Sequence, residues 1–282
     1  MNQPATSLAE AAAAPFLKMP GGKRQLLPEI RARAPASFGR YLEPFVGGGA
    51  VFFDLFASGL KSPAYIADAN AELVATYRAV QGDVDGVIAA LRPHERQHCA
   101  ERYYAVRAQR PRSEAAVAAR MIYLNRTCFN GVYRVNKSGG FNVPIGRYAN
   151  PTICDADNLR ACSLALAGAE IACADFASVM AVAKRGDWVY CDPPYLPVSA
   201  TGDFTSYTAA GFSLADHERL AGCARRLVES GVHVLLSNAD LPVVRQLYEG
   251  FEMRVVKARR NINSRGGKRG DVGELLIWGG AS

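Results

Sequence analysis

Five short apolar runs, each breaking off at a glycine, acid or amide and each followed by a helix-like stretch, restrict what this chain can fold into. They are "YLEPF" (41–45), "AYIADAN" (64–70), "AEIACAD" (169–175), "WVYC" (188–191) and "VHVLLSN" (232–238). Nearly continuous apolar residues mark strands buried on both faces, and alternation with helices makes such strands parallel. The expected fold is therefore α/β, a doubly wound and mostly parallel sheet. Two further runs, "MRVVKA" (253–258) and "ELLIWG" (274–279), predict a closing antiparallel pair. The alternation is interrupted in the middle of the chain. Residues 76–120 carry an amphipathic helical pattern, and 121–154 are loop-rich, with Asn130-Gly131 and Gly139-Gly140 signalling turns or a hairpin. This predicts a disordered tail over 1–15, one domain built from 16–75 and 155–282, and a lobe inserted at 76–154.

Charge is unevenly spread. Residues 115–154 contain no Asp or Glu, yet hold Arg120, Arg126, Arg134, Lys137 and Arg147 among Tyr123, Phe129, Tyr133, Phe141 and Tyr148. A second acid-free stretch, "KARRNINSRGGKRG" (257–270), carries six cations, and the net charge is +7. A solvated face would mix both signs. Arginines interleaved with aromatics suit phosphate contact and base stacking, so nucleic acid is the expected partner. Seven scattered cysteines without a CxxC pair argue against a disulfide framework or a zinc site. They fit a reducing cytoplasm, and no metal is expected. No apolar run reaches the ~18 residues of a membrane helix. The N-terminal "MNQPATSLAEAAAAPFL" lacks a basic start and contains Glu10, unlike a signal peptide.

Ligands of open α/β sheets gather at the carboxyl ends of the strands, and four of the runs deliver chemistry there. "FVGGG" (45–49) brings Phe45 and a glycine loop around Gly47, which is either an ordinary tight turn or a place where a ligand approaches the backbone. Asp68, twenty positions after Gly48, suits ribose hydroxyls or a helix cap. Asp175-Phe176 sets a hydrogen-bonding acid beside a stacking ring, or again a cap. Together with "DPPY" (192–195) they describe an adenosine-like ligand lying across the strand ends. Lys23 follows two glycines, but GxxxxGK[ST] is absent, which disfavours an ATP loop. It reads as a surface lysine or as a cation holding a ligand carboxylate.

Asp192, Pro193, Pro194 and Tyr195 are harder to explain as a mere turn. An exocyclic amine such as adenine N6 is a poor nucleophile, because its lone pair is delocalised into the ring. A carboxylate accepting one N–H and a rigid carbonyl accepting the other draw that nitrogen toward tetrahedral geometry. Prolines fix the carbonyl through their locked φ, and a tyrosine stacks on the base.

At these residues the chain resembles the DNA adenine methylase family, N6-adenine DNA methyltransferases that modify GATC-like sites. The resemblance runs from Phe16 to Trp278 and rests on "PFLKMPGGK", "YLEPFVGGGAVFF", "IADANAEL", "LNRTCFNGVYRVNKSGGFNVPIGRY", "ADFA", "VYCDPPY", "YTAAGFSLADHERLA", "LLSNAD" and "RRNINSRGG". It implies a Rossmann-like methyltransferase fold and S-adenosylmethionine as cofactor. It also implies that Met19 and Lys23 lie at the methionine end, Asp68 at the ribose, Asp175 and Phe176 at the cofactor adenine, and Phe45 and Gly47 in the glycine loop. Asp192 matches the catalytic acid. Met19 stands where the family usually has tryptophan, giving van der Waals contact without a ring face.

In the inserted lobe the resemblance implies DNA contacts from Arg126, Phe129, Asn130, Arg134, Asn136, Lys137 and Arg147. Arg134 matches a guanine-reading arginine. Phe129 matches an inserting aromatic, in place of the usual tyrosine. The expected partner is double-stranded DNA, with no membrane and a monomeric enzyme in the cytoplasm. Two other outcomes share parts of the pattern: a methyltransferase of RNA or of a protein amide, and a DNA-binding module without catalysis. The basic aromatic lobe argues against the first, and the intact Asp192–Tyr195 turn against the second.

Overall fold

The computed structural model describes residues 13–19, 23–136, 140–196, 212–258 and 272–280. In its first part, α1 (Leu27–Arg31) leads to β1 (Tyr41–Glu43), α2 (Ala50–Ala57) and β2 (Ala64–Asp68). Five helices follow: α3 (Ala71–Gly82), α4 (Val84–Arg96), α5 (Ala100–Ala108), α6 (Glu114–Thr127) and α7 (Ala156–Leu166). The chain then runs through β3 (Ala169–Cys173), α8 (Phe176–Ala181), β4 (Trp188–Cys191) and α9 (Leu214–Glu229). It ends in β5 (His233–Ala239), α10 (Pro242–Leu247), β6 (Glu252–Ala258) and β7 (Val272–Gly279). Short polar side chains start many of the helices. Asn70, Asp83, Asp155 and Asp175 each accept backbone N–H groups of the turn that follows, and Ser213 with Asp216 forms a reciprocal capping box on α9.

All seven expected strands form one sheet, in the order β3-β2-β1-β4-β5-β7-β6. β1 runs parallel to β2 and to β4, and β4 is parallel to β5. β7 is antiparallel to both β5 and β6. The closing pair is thus not added in chain order, because β7 goes inside. Its Leu275, Leu276 and Ile277 are fully buried, whereas Glu252, Arg254 and Val255 of β6 are exposed, which suits the edge. Strand order reverses between β1 and β4, the kind of switch point outside which α/β sheets bind ligands.

Two compact units divide the chain. The sheet unit takes 23–46, 62–69 and 172–282. Its core includes Val189, Cys191 and Leu236 of the sheet, with Val179 of α8 and Leu220 and Ala224 of α9. The helical unit takes 1–22, 47–61 and 70–171. At its centre α6 is buried on almost every side, from Ala118 to Asn125. Leu73, Val74, Tyr77 and Val80 of α3 are buried in the same unit. The division therefore differs from the expected lobe at 76–154, since α3 cannot be cut from α6 at residue 76. The chain is also packed earlier than expected. Ala13 is buried, Ala14 exchanges two hydrogen bonds with Asn158, and Cys162 donates to the Ala14 carbonyl. The ordered N-terminal segment thus includes 13–15, and residues 1–12 lie outside the described ones. Among the described residues no helix is long and apolar enough to cross a membrane.

Candidate active site

β4 is buried throughout, and its last hydrogen-bonding residue, Cys191, delivers Asp192 to the switch point. Pro193 is buried, Pro194 exposed and Tyr195 half-buried. Two donors converge on Oδ1 of Asp192. Lys23 Nζ lies at 2.9 Å and Ser237 Oγ, from the end of β5, at 2.8 Å. Ser237 also meets the hydroxyl of Tyr190 at 2.9 Å. Among the described residues no hydrogen bond reaches Oδ2, and a quarter of the Asp192 side chain (24%) remains exposed. A carboxylate held by one oxygen and open at the other is suited to accept an N–H from a ligand.

Tyr195 is fixed from the opposite side. Its hydroxyl donates to Glu274 Oε2 at 3.1 Å, and Lys23 Nζ sits 4.8 Å from its ring centroid and 3.9 Å from Glu274. Burial, then the charges of Asp192 and Glu274, push the Tyr195 phenol well above its usual range, so it remains a protonated donor. Lys23 is nine-tenths buried or more, at 4% exposure. The surface reading of Lys23 is corrected, and its ammonium is directed at Asp192. Ser237, Glu274 and Tyr190 were not picked out from the sequence. Their signals were a polar pair ending the apolar run "LLSN" and an acid opening "ELLIWG".

Along the same rim, Phe45 stacks on Phe176 with centroids 5.4 Å apart, and Phe212 lies edge-on to Phe45 and tilted to Phe176, at 5.7 Å from each. Asp68 ends β2, and its carbonyl accepts the N–H of Ala174 at 3.2 Å. It is not the helix cap, a role that Asn70 performs for α3. Asp175 is a cap, because Oδ1 accepts Ala177 N–H at 2.9 Å. Both its oxygens also accept from Arg219 of α9, at 2.8 and 2.9 Å. Phe45, Phe176 and Phe212 thus form an aromatic cluster, with Asp175 one residue before Phe176.

In the helical unit, Gly47 and Gly49 adopt positive φ (48° and 71°), and at Gly49 a Cβ would come within 2.6 Å of the Tyr77 hydroxyl. Glycine there is a requirement of both backbone and packing. Gly48 passes close to Met19, whose Cβ would lie 3.5 Å from a Cβ built at 48. Met19 in turn is placed by Asn125, fully buried in α6. That amide accepts Lys18 N–H at 2.7 Å and donates to the Lys18 carbonyl at 2.7 Å.

The same unit carries the acid-free segment as an irregular hairpin. Isolated antiparallel bridges join Cys128 to Ile145 and Val135 to Phe141. Asn130 and Gly131 both take left-handed backbone (φ 56° and 64°), the turn that the Asn-Gly pair signals. Phe129 is 53% exposed, and Asn130, Arg134 and Arg147 are exposed as well. Arg134 Nε donates to Asn142 Oδ1 at 2.8 Å. Asn136 Oδ1 accepts Gly140 N–H at 2.8 Å, and Lys137 lies outside the described residues.

Two cations of the segment make contacts within this unit. Arg126 is half-buried, and its Nε donates to the Phe16 carbonyl at 2.9 Å. Arg120 is buried, pairs with Glu72 at 2.7 Å and donates to the carbonyls of Val106 and Arg107. Glu72 also accepts from Tyr133 at 2.8 Å, anchoring the residue next to Arg134. Among the described residues no group of three or more His, Cys, Asp or Glu side chains is placed to hold a metal.

Comparison with known proteins bears on what these sites serve. The family described as D12 class N6 adenine-specific DNA methyltransferase matches residues 20–262. The type II methyltransferase M.MjaIII of Methanocaldococcus jannaschii is 42% identical, over 93% of this chain and 98% of its own. The type II methyltransferase M1.LlaDCHI of Lactococcus lactis is 40% identical, over 93% and 94%. The DNA adenine methylase of Escherichia coli is 40% identical, over 93% of each chain. Among solved structures, TrmN from Thermus thermophilus aligns with a TM-score of 0.37 and 14% identity, over 92% of this chain and 48% of that one. The fold assignment stands on the strand order itself.

Proposed function

Because the chain belongs to the D12 class of N6 adenine-specific DNA methyltransferases, we propose that it methylates adenine N6 in duplex DNA within GATC, using S-adenosylmethionine. The observation that carries this is the Asp192 carboxylate at the switch point, held on Oδ1 by Lys23 and Ser237 with Oδ2 open. S-adenosylmethionine, when bound, supplies an electrophilic methyl group. Its adenosine part fits the Phe45–Phe176 floor, with Asp68 toward the ribose and Asp175 toward the base edge. Gly47, Met19 and Lys23 complete the proposed cofactor set.

The target adenine leaves the duplex at an unstacking cost of a few kcal/mol and stacks on Tyr195. Asp192 Oδ2 and the Pro193 carbonyl accept hydrogen bonds from its two N6–H groups and aim the nitrogen lone pair, while Pro193 and Pro194 keep that carbonyl direction fixed. Lys23 and the Ser237 hydroxyl fix Asp192 Oδ1 in place, so Asp192 acts by orienting N6. Glu274 holds the Tyr195 ring by its hydroxyl. On the DNA side, Arg134 pairs with the guanine before the target adenine, Phe129 fills the stack, and Asn130, Asn136, Lys137 and Arg147 contact backbone or bases. The enzyme acts as a cytoplasmic monomer in this reading.

The test is direct. The full-length protein is incubated with methyl-labelled S-adenosylmethionine and duplex DNA, and methylated positions are read by sequencing. Label on the adenine of GATC is expected. Label on cytosine, on RNA alone or on protein would refute the assignment.

A further inference from the structure

Resting on the adenosine subsite proposed above, we propose that Arg219 is its resident occupant, a guanidinium that must be displaced before a purine lies there. Arg219 makes the two contacts expected of an adenine. Its flat guanidinium lies over the Phe176 ring, with Cζ 4.2 Å from the centroid. At the same time Nη1 and Nη2 donate to the two oxygens of Asp175 at 2.8 and 2.9 Å, in the place where an exocyclic amine would donate. A planar cation with in-plane donors resembles an aminopurine in both stacking and hydrogen bonding. A purine on that face of Phe176 and Arg219 in its present position exclude one another.

The arrangement is built to yield. Arg219 and Asp175 are each 45% exposed, so their pair is solvent-screened and weak. Displacement also leaves the cation a partner, because Nη2 lies 3.1 Å from Asp216 Oδ1 one turn earlier on α9. Asp216 is itself locked by the capping box with Ser213. Arg219 can therefore leave Phe176 and Asp175 while keeping Asp216. The device sets a threshold: a ligand must both stack and hydrogen-bond to replace what Arg219 already does, which favours an adenosyl group over ligands offering one contact.

Titration calorimetry of S-adenosylmethionine into the full-length protein, with adenosine as a second probe, tests this without any methyl transfer. Arg219→Ala is expected to bind about two- to fivefold tighter than wild type at low salt, the range an exposed ion pair supplies. The gap should close as added salt screens the pair, and Arg219→Lys, which keeps the charge without the planar fork, should fall between. Equal affinities at every salt concentration, or weaker binding by Arg219→Ala, would overturn the proposal while leaving the cofactor assignment standing. Absence of binding by all three proteins to both probes would remove the cofactor assignment and this proposal together.

Discussion

Asp192 and Arg134 both carry charge that the proposed reaction depends on, and they are held in different ways. In the sheet unit, Asp192 is gripped at its own carboxylate by Lys23 and Ser237, and Tyr195 and Glu274 close the cluster. In the helical unit, the hairpin is fixed from below, through Tyr133, Glu72 and Arg120, while Phe129 and Arg134 at the surface stay exposed. The contrast follows from what each must do. A group that orients one nitrogen gains from having its rotamer fixed before the ligand arrives. A group proposed to read a groove must adjust to a duplex; its backbone is anchored, and its exposed side chain is held through Nε by Asn142.

The largest expected effect attacks the fixed side. Asp192→Ala should lower methyl transfer by about 10²–10³-fold, the range for losing a preorganised hydrogen-bonding group, with duplex affinity unchanged because cations outside this cluster supply it. Tritium transfer and a DNA-binding titration measure the two separately. A mutant that loses both together would mean that the two regions are not independent.

The next concerns the anchor beneath the hairpin. Arg120→Ala leaves the Glu72 carboxylate without its buried cation and removes the Arg120 hydrogen bonds to the Val106 and Arg107 carbonyls, and should cost about 3 kcal/mol of stability. Urea unfolding reads this directly. If stability barely changes, the Arg120–Glu72 pair does not anchor the hairpin.

Arg134→Ala should be smaller and should act on choice rather than rate. Losing a bidentate contact to guanine removes about 1–3 kcal/mol of discrimination. Rates on GATC and on duplexes altered at the guanine should converge, at one fixed salt concentration. A uniform drop over all sequences would make Arg134 a phosphate contact.

The smallest effect lies in the packing behind the active turn. His217 of α9 is fully buried, and burial lowers its pKa from the model-compound value of 6.5, against weaker opposing pulls from the Pro194 carbonyl and Asp216. That carbonyl makes no hydrogen bond of good geometry with either ring nitrogen. The unfolded chain therefore binds a proton more readily than the folded one, so this contribution is present above about pH 6.5 and is lost as pH falls through the lower folded value. His217→Leu should flatten that part of the stability–pH profile. An unchanged slope would assign the acid sensitivity to His94 and His98, whose values burial also lowers.

Reading the sequence was most successful where the signal is local. A continuous apolar run such as "WVYC" is a buried strand whatever surrounds it, and "DPPY" after it places an acid on a rigid turn. It was least successful where a residue's partner lies far along the chain. Nothing near Lys23 indicates that its ammonium meets Asp192, and nothing in "MRVVKA" or "ELLIWG" alone says which strand goes inside. Counting charges also failed to separate a guanidinium at the surface from one inside. Arg120 stands in "AARMIYL", between Ala118-Ala119 and Met121-Ile122, and that apolar context was the available clue to its burial. Asp175 shows a third case, in which the cap was foreseeable and the Arg219 pairing was not.

The insertion of β7 between β5 and β6 also bears on how the molecule comes into being. Chain synthesis delivers Lys23 near the beginning and Glu274 near the end, so the cluster around Asp192 is assembled from pieces made at very different times. Until β7 emerges, β5 is left as an unpaired edge, and pairings of such long sequence separation form slowly. A nascent chain stalled before Val272 would possess the Asp192–Tyr195 turn but not the acid that steadies Tyr195. The hydrogen bond that holds the Tyr195 ring would then arrive with β7, long after the turn itself has been made.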